Sequence, residues 1–331
     1  VKERLLKLAP WIGFPVFYLV CLVLFASWTF PYETLKERII LSFNQQQRET
    51  NGQQELRIES LGSHWLSGVH AKGVHLVSPP TEVGKPPSDM KLDDVRARVS
   101  ILGLLVGNRD VSFKVSAFGG TIDGDYDDHG KEKRIDADVD GVDIGQVAPI
   151  TEALGVPLEG KLTAQVKLTL PDGKASKANG SVTLESADTA FGDGKAKIKG
   201  VPLALPRMNI GALTLAAEAK EGILRISKVV ASGKDIELMG DGRVQLREVT
   251  SDSQCDVNLR FKVNDAYKTK NDVTKSLFGA AGPTNAGAMI DMDPKVKQSK
   301  RGDGFYGWHM RGQLGKPEFD PSPTAGPASG K

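Results

Sequence analysis

The chain has 331 residues, with 43 Lys and Arg against 41 Asp and Glu and a formal net charge of +2. So even a balance, with no basic stripe interleaved with aromatics, excludes nucleic acid as a partner. Glycine is abundant at 36 residues, aromatics make up 6%, and the two cysteines, Cys21 and Cys255, lie far apart in segments of different kind. This is not a disulfide scaffold, and the mix suits many short strands joined by tight turns.

Residues 9–32 carry no charge. Twenty-four residues at about 1.5 Å rise cover about 36 Å, enough for a hydrocarbon core of about 30 Å, which predicts a membrane-spanning helix. Its apolar body contains Ile12, Phe14, Phe17, Tyr18, Leu19, Leu22, Leu24 and Phe25, and Trp11 at one end and Trp28 and Phe30 at the other suit an aromatic belt. Lys2, Arg4 and Lys7 precede it, so the positive-inside rule predicts a cytoplasmic N-terminus with the bulk of the chain translocated. A cleaved signal peptide is the alternative, but the run exceeds the usual apolar length and no small-x-small site follows Ser27.

Residues 32–48 follow with Leu35, Ile39 and Phe43 at four-residue spacing, an amphipathic helix expected to cap the following sheet rather than to lie on a membrane. From Leu56 onward period two dominates. Leu162, Ala164, Val166, Leu168 and Leu170 alternate with polar residues, as do Cys255, Val257, Leu259, Phe261 and Val263, and similar runs occupy 95–99, 111–118, 210–219, 223–230 and 236–246. Each predicts a strand with one apolar and one wet face, as in antiparallel sheets. Helical spacing returns only over 143–155 and 264–279. The four prolines of 78–88 predict a loop, 280–304 a long mobile loop, and 317–331 a disordered tail.

Motifs for chemistry fail one by one. Asp136, Asp138 and Asp140 match the first half of a calcium loop, but Val147 stands where the bidentate Glu is needed. Their alternation with Ile135, Ala137 and Val139 predicts a strand with an acidic wet face instead. Asp123, Asp125, Asp127 and Asp128 lack the required glycine and read as a hairpin tip. His70 and His75, five apart in a strand, fall on opposite faces, which weakens a shared metal site. Gly103 and Gly107 have the spacing of a nucleophile elbow, but Leu105 occupies the nucleophile position. No catalytic residue, metal site or cofactor is expected, and the chain reads as non-enzymatic.

The order of segments carries more. After the apolar run and amphipathic helix comes Leu61-Gly62-Ser63-His64-Trp65-Leu66-Ser67-Gly68-Val69, then Val142-Asp143-Ile144-Gly145, Val156-Pro157-Leu158-Glu159-Gly160-Lys161-Leu162 and Gly180-Ser181-Val182-Thr183-Leu184. It ends with Gly307-Trp308-His309-Met310-Arg311-Gly312-Gln313-Leu314-Gly315-Lys316-Pro317-Glu318-Phe319. Together these resemble the protein N family of the bacterial type II secretion system, in its longer form similar to AsmA-like envelope proteins. The resemblance implies a mostly β protein of the bacterial inner membrane, single-pass, with its bulk in the periplasm, and a long curled antiparallel sheet with a few short helices. The implied partners are other type II secretion subunits, the inner membrane and phospholipid. On this reading residues 1–32 are a stub and anchor, 33–52 the amphipathic helix, 53–316 the periplasmic sheet and 317–331 the tail. The apolar positions Leu162, Val166, Leu168, Val257, Leu259 and Phe261 then form either an ordinary core face or a groove for acyl chains, since a strand face turned to lipid looks like one turned to a core.

Overall fold

The computed structural model describes residues 14, 17–18, 21–22, 24–25, 29–49, 54–65, 67–79, 87–147, 156–195, 204, 206–279 and 288–323. Its body is one antiparallel sheet of fourteen strands in strict chain order. They are β1 (Glu55–His64), β2 (Gly68–Ser78), β3 (Ser88–Val99), β4 (Arg109–Ala117), β5 (Gly120–Asp128), β6 (Glu132–Asp143) and β7 (Leu158–Pro171), followed by β8 (Asn179–Phe191), β9 (Met208–Lys220), β10 (Ile223–Ser232), β11 (Ile236–Gln245), β12 (Gln254–Val263), β13 (Tyr306–Gln313) and β14 (Glu318–Pro321). At about 4.8 Å per strand the sheet is about 62 Å wide. β1 and β14 are its two edges and do not pair with each other.

The period-two runs explain why one face is apolar throughout. Directly opposed residues share a face, and one row runs in register through Val95, Val115, Ile122, Val139, Ala164, Leu184 and Leu215. Beside it run Ala97, Phe113, Gly124, Ala137, Val166, Val182, Ala217, Ile226, Gly242 and Val257. The other face is a ladder of polar residues in which Lys114 pairs with Asp123 at 2.9 Å and the Gln165 amide donates to Asp138 at 2.8 Å.

Helices cover only parts of the apolar face. The first, α1 (Tyr32–Glu49), packs Leu35 and Ile39 onto Leu61, Ala71 and Val74, so the amphipathic segment caps the sheet. Asn44 near its end accepts from the Leu56 amide at 3.1 Å, so the helix runs back along β1 with its first turn toward the β1–β2 turn. A short helix, α2 (Ile101–Leu105), sits in the β3–β4 connection. The long β12–β13 connection carries α3 (Asp265–Lys268), α4 (Asp272–Phe278) and α5 (Pro294–Ser299). Tyr267, Leu277 and Phe278 from this excursion join Met208 and Val263 in a buried cluster, and the Tyr267 hydroxyl donates to the Pro206 carbonyl. Asn271 caps α4 with a reciprocal pair of hydrogen bonds to Thr274.

Several expectations are corrected. Among the described residues no helix is long and apolar enough to cross a membrane; α1, the long helix present, carries Lys36, Glu37 and Arg38 and belongs to the sheet. This overturns the reading as a single-pass inner-membrane protein with a cytoplasmic N-terminus, and with it the role of inner-membrane component of a secretion machine. The expected curled sheet is also replaced by an open one, because every strand pairs with its chain neighbours and the edges never meet. Residues 280–304 are not simply loop, since 288–299 hold a 3-10 turn and α5. The expected disordered tail includes β14, which pairs with β13 from Trp308↔Pro321 to Arg311↔Glu318. The helical spacing at 143–155 yields a 3-10 turn at Ile144–Gln146, and 148–155 lie outside the described residues. Asp123, Asp125, Asp127 and Asp128 lie within β5 and not at a tip, whereas Asp136, Asp138 and Asp140 do line the wet side of β6.

Candidate functional site: an open apolar sheet face

The site residues expected from sequence separate into three groups. Lys2, Arg4, Lys7, Trp11, Ile12, Leu19 and Trp28 lie outside the described residues. Phe14, Phe17, Tyr18, Leu22, Leu24, Phe25 and Phe30 are described and exposed, so none of them is packed into the sheet. Leu162, Val166 and Leu168 lie on β7, and Val257, Leu259 and Phe261 on β12. The register carries Val166 across β8 to β11 to Val257, so all six share the apolar face but form two stretches with four strands between them.

The two stretches differ in burial. Val257 is 2% exposed and clusters with Val244 and Cys255 among Leu224, Ile226, Leu259 and Met310. Phe261 stacks on Tyr306, ring centroids 5.4 Å apart, beside the β12–β13 excursion. On β7 the three residues are half-buried, as are Val115, Ile122, Val139, Leu184 and Leu215. None of these belongs to a buried cluster with a described helix. The excursion reaches Phe191 at the end of β8 and Met208 at the start of β9, and between it and α1 the middle of β4 to β9, about five strand spacings or about 24 Å, is an apolar surface without a second layer among the described residues.

The wet face and sheet ends hold the titratable groups, and these are spent on one another. His70 and Asp94 are hydrogen-bonded, His75 Nδ1 lies 2.9 Å from Asp89, His129 Nε2 is 3.0 Å from Asp110 and His309 Nε2 is 2.7 Å from Asp256. His309 and Arg243 hold the Asp256 carboxyl below the usual carboxylate range. Partial burial pushes Asp94 up, but His70 and Arg96 outweigh it and its acidity rises. Burial raises the Asp241 carboxyl, against the pull of Arg260. At a cleft lined from β6, β7 and β8, Arg207, just before β9, holds Glu159 at 2.6 and 2.9 Å and Asp143 accepts from the Gly145 amide. Among the described residues no three His, Cys, Asp or Glu side chains are gathered to hold a metal.

His70 and His75 are placed on the same wet face, contrary to the count of five. Val69, Ala71 and Val74 all join the apolar cluster, so the alternation slips one step between 71 and 74. Gly73 takes up the slip with φ +58, and a Cβ there would meet the Glu59 carboxylate at 2.2 Å. Sequence reasoning also missed the exposed apolar tip formed by Trp65 and α2. The signal was the run Ile101-Leu102-Gly103-Leu104-Leu105-Val106, weighed above only as a nucleophile elbow. No protein-family model, no curated protein and no solved structure matches the chain.

Proposed function

We propose that the chain is a non-catalytic binding scaffold whose working surface is the apolar face of β4 to β9, and that the ligand of this face is the acyl chain of a phospholipid. The observation that carries this is the in-register apolar row, half-buried and without a helix of the described residues over it. A span of about 24 Å exceeds half of a hydrocarbon core of about 30 Å, the depth one acyl chain occupies. Burial is worth about 0.8 kcal/mol per methylene, so a single chain along the rows supplies useful affinity without any polar contact. The test is organic extraction and mass spectrometry of the purified full chain. Phospholipid should be recovered, and Val166→Asp with Leu184→Asp should abolish it while the far-ultraviolet dichroism is kept. A folded protein that carries no lipid sinks the reading.

A second reading takes the partner to be a protein, for which the resemblance names subunits of the type II secretion machinery. The open edge at β14, four residues long, favours it, because its outer side has no strand partner among the described residues and offers backbone groups for strand addition. Crosslinking from Phe319, exposed on β14, would recover such a subunit; recovery of none removes this reading.

A further inference from the structure

The end of the sheet where β1 meets β2 and β3 meets β4 exposes a second apolar surface, distinct from the sheet face. Trp65 is 75% exposed, Leu105 78% and Val106 75%, and Ile101 and Leu104 are exposed beside them. The two turns are fastened together, because the Val99 amide donates to the Ser67 carbonyl at 3.1 Å and both Ser67 and Ile101 line one shallow cleft. The tip is also built: Ser100 caps α2 through the Gly103 amide, and the Asn108 amide returns to the Gly103 carbonyl at 2.8 Å. Five large apolar side chains are therefore held in water by a folded connection, at a cost that an isolated monomer has no reason to carry.

We infer that this tip inserts into the surface of an anionic bilayer, with Leu105 and Val106 deepest, Trp65 at headgroup level, and Arg98 and Arg109 on the lipid phosphates. Three observations choose this occupant over a protein groove. The side chains combine an indole with branched aliphatics, the pairing suited to an interface that is wet on one side and apolar below. Arg98 and Arg109, exposed at the ends of β3 and β4, bring two cations to the apolar group, while at the same end Asp110 is spent on His129 at 3.0 Å and Asp128 lies opposite Arg109. The chain before α1 arrives at this same end, since α1 runs back along β1, and it brings the exposed Phe30, which packs against Tyr32 at 4.9 Å between ring centroids. Such contact is interfacial and needs no spanning helix. It uses none of the residues of the sheet face, so it stands or falls separately from the proposed acyl-chain site.

The test places an environment-sensitive fluorophore on the full chain carrying Cys21→Ser with Leu105→Cys, and in a second protein with Val106→Cys; Cys255 is buried and takes no label. The control label is on Lys234→Cys, in the exposed β10–β11 turn at the opposite end. On vesicles containing phosphatidylglycerol, both tip labels should brighten and shift to the blue, and bromine in the outer part of the acyl chains should remove about half of that emission, as insertion of about 5–10 Å requires. The Lys234→Cys label should not respond. Arg98→Gln with Arg109→Gln should raise the vesicle concentration needed for half of the signal, and vesicles of phosphatidylcholine alone should give a weaker response. Tip labels that remain aqueous, whether or not the protein floats with the vesicles, overturn the proposal, which is also the result if the tip serves a protein groove. An equal response on both vesicle types overturns the assignment of an anionic surface.

Discussion

Val166 and Val257 offer a controlled comparison of the open and closed parts of one sheet face. Both are valines on the apolar side of strands in the sheet interior, so Val→Ala costs each the same strand propensity and the same two methyl groups. At about 0.8 kcal/mol per group, full burial is worth about 1.6 kcal/mol. Val257, 2% exposed among Leu224, Ile226 and Met310, adds a cavity term that raises the expected cost to about 2–3 kcal/mol. Val166 is half-buried with no described layer above it. It loses about half the transfer term and leaves no enclosed cavity, which gives about 0.8 kcal/mol. The expected gap of about 1–2 kcal/mol corresponds to a difference of roughly 5–30-fold in the folding constant. Urea unfolding of the delipidated full chain, followed by circular dichroism at constant slope, reads it as a separation of midpoints. Equal costs at the two positions would mean that β7 is as well covered in solution as β12 and that β4 to β9 present no open face.

Two further changes test other parts of the fold. The Asp256 carboxyl is held below its ordinary value of 3.8 by His309 and Arg243; the unfolded chain therefore binds the proton first, so the stabilisation is present above about pH 4 and is lost as pH falls through the folded value. With Asp256 44% exposed, solvent screening holds this to well under about 1 kcal/mol, and thermal melts of Asp256→Asn against the parent should differ at pH 7 and converge near pH 2. Gly180 has φ +143 and its missing Cβ would fall 1.9 Å from the Lys167 carbonyl oxygen, so Gly180→Ala should cost more than about 2 kcal/mol; a melting temperature within a degree or two of the parent would contradict the β7–β8 register.

Much of the sheet was legible because alternation is a direct consequence of strand geometry: the runs around Val166, Val257 and Ile226 lie on the face their spacing assigned. What escaped the reading has physical causes. The phase slip near Gly73 occurs in step on three strands, from Ile58 to Leu61, Ala71 to Val74 and Leu92 to Val95, with the β1–β2–β3 register unchanged, and no single-strand count can see it. β14 is four residues long and carries a proline, so its pairing comes from β13 and not from its own pattern. α5 did leave a signal, since Asp293 caps it through the Lys295 amide with Pro294 in the first turn, but Gly and Ser nearby obscured it. The apolar run near the N-terminus was read from its length, aromatic ends and flanking charges, whereas among the described residues no helix is long and apolar enough to cross a membrane. For the apolar face of β4 to β9, alternation identified the residues, but their cover is a property of the whole topology.

Strict neighbour-to-neighbour pairing also has a consequence for how the chain reaches this structure. Each strand finds its partner in the next strand of the chain, and apart from the long β12–β13 connection few registers have to wait for a distant segment, so contact order stays low for an all-β body of this size. The sheet can grow one strand at a time, with each finished edge serving as the template for the next. Nearest-neighbour growth of this kind is the behaviour of linear repeat arrays, in which the loss of terminal units shortens the molecule without dissolving what remains.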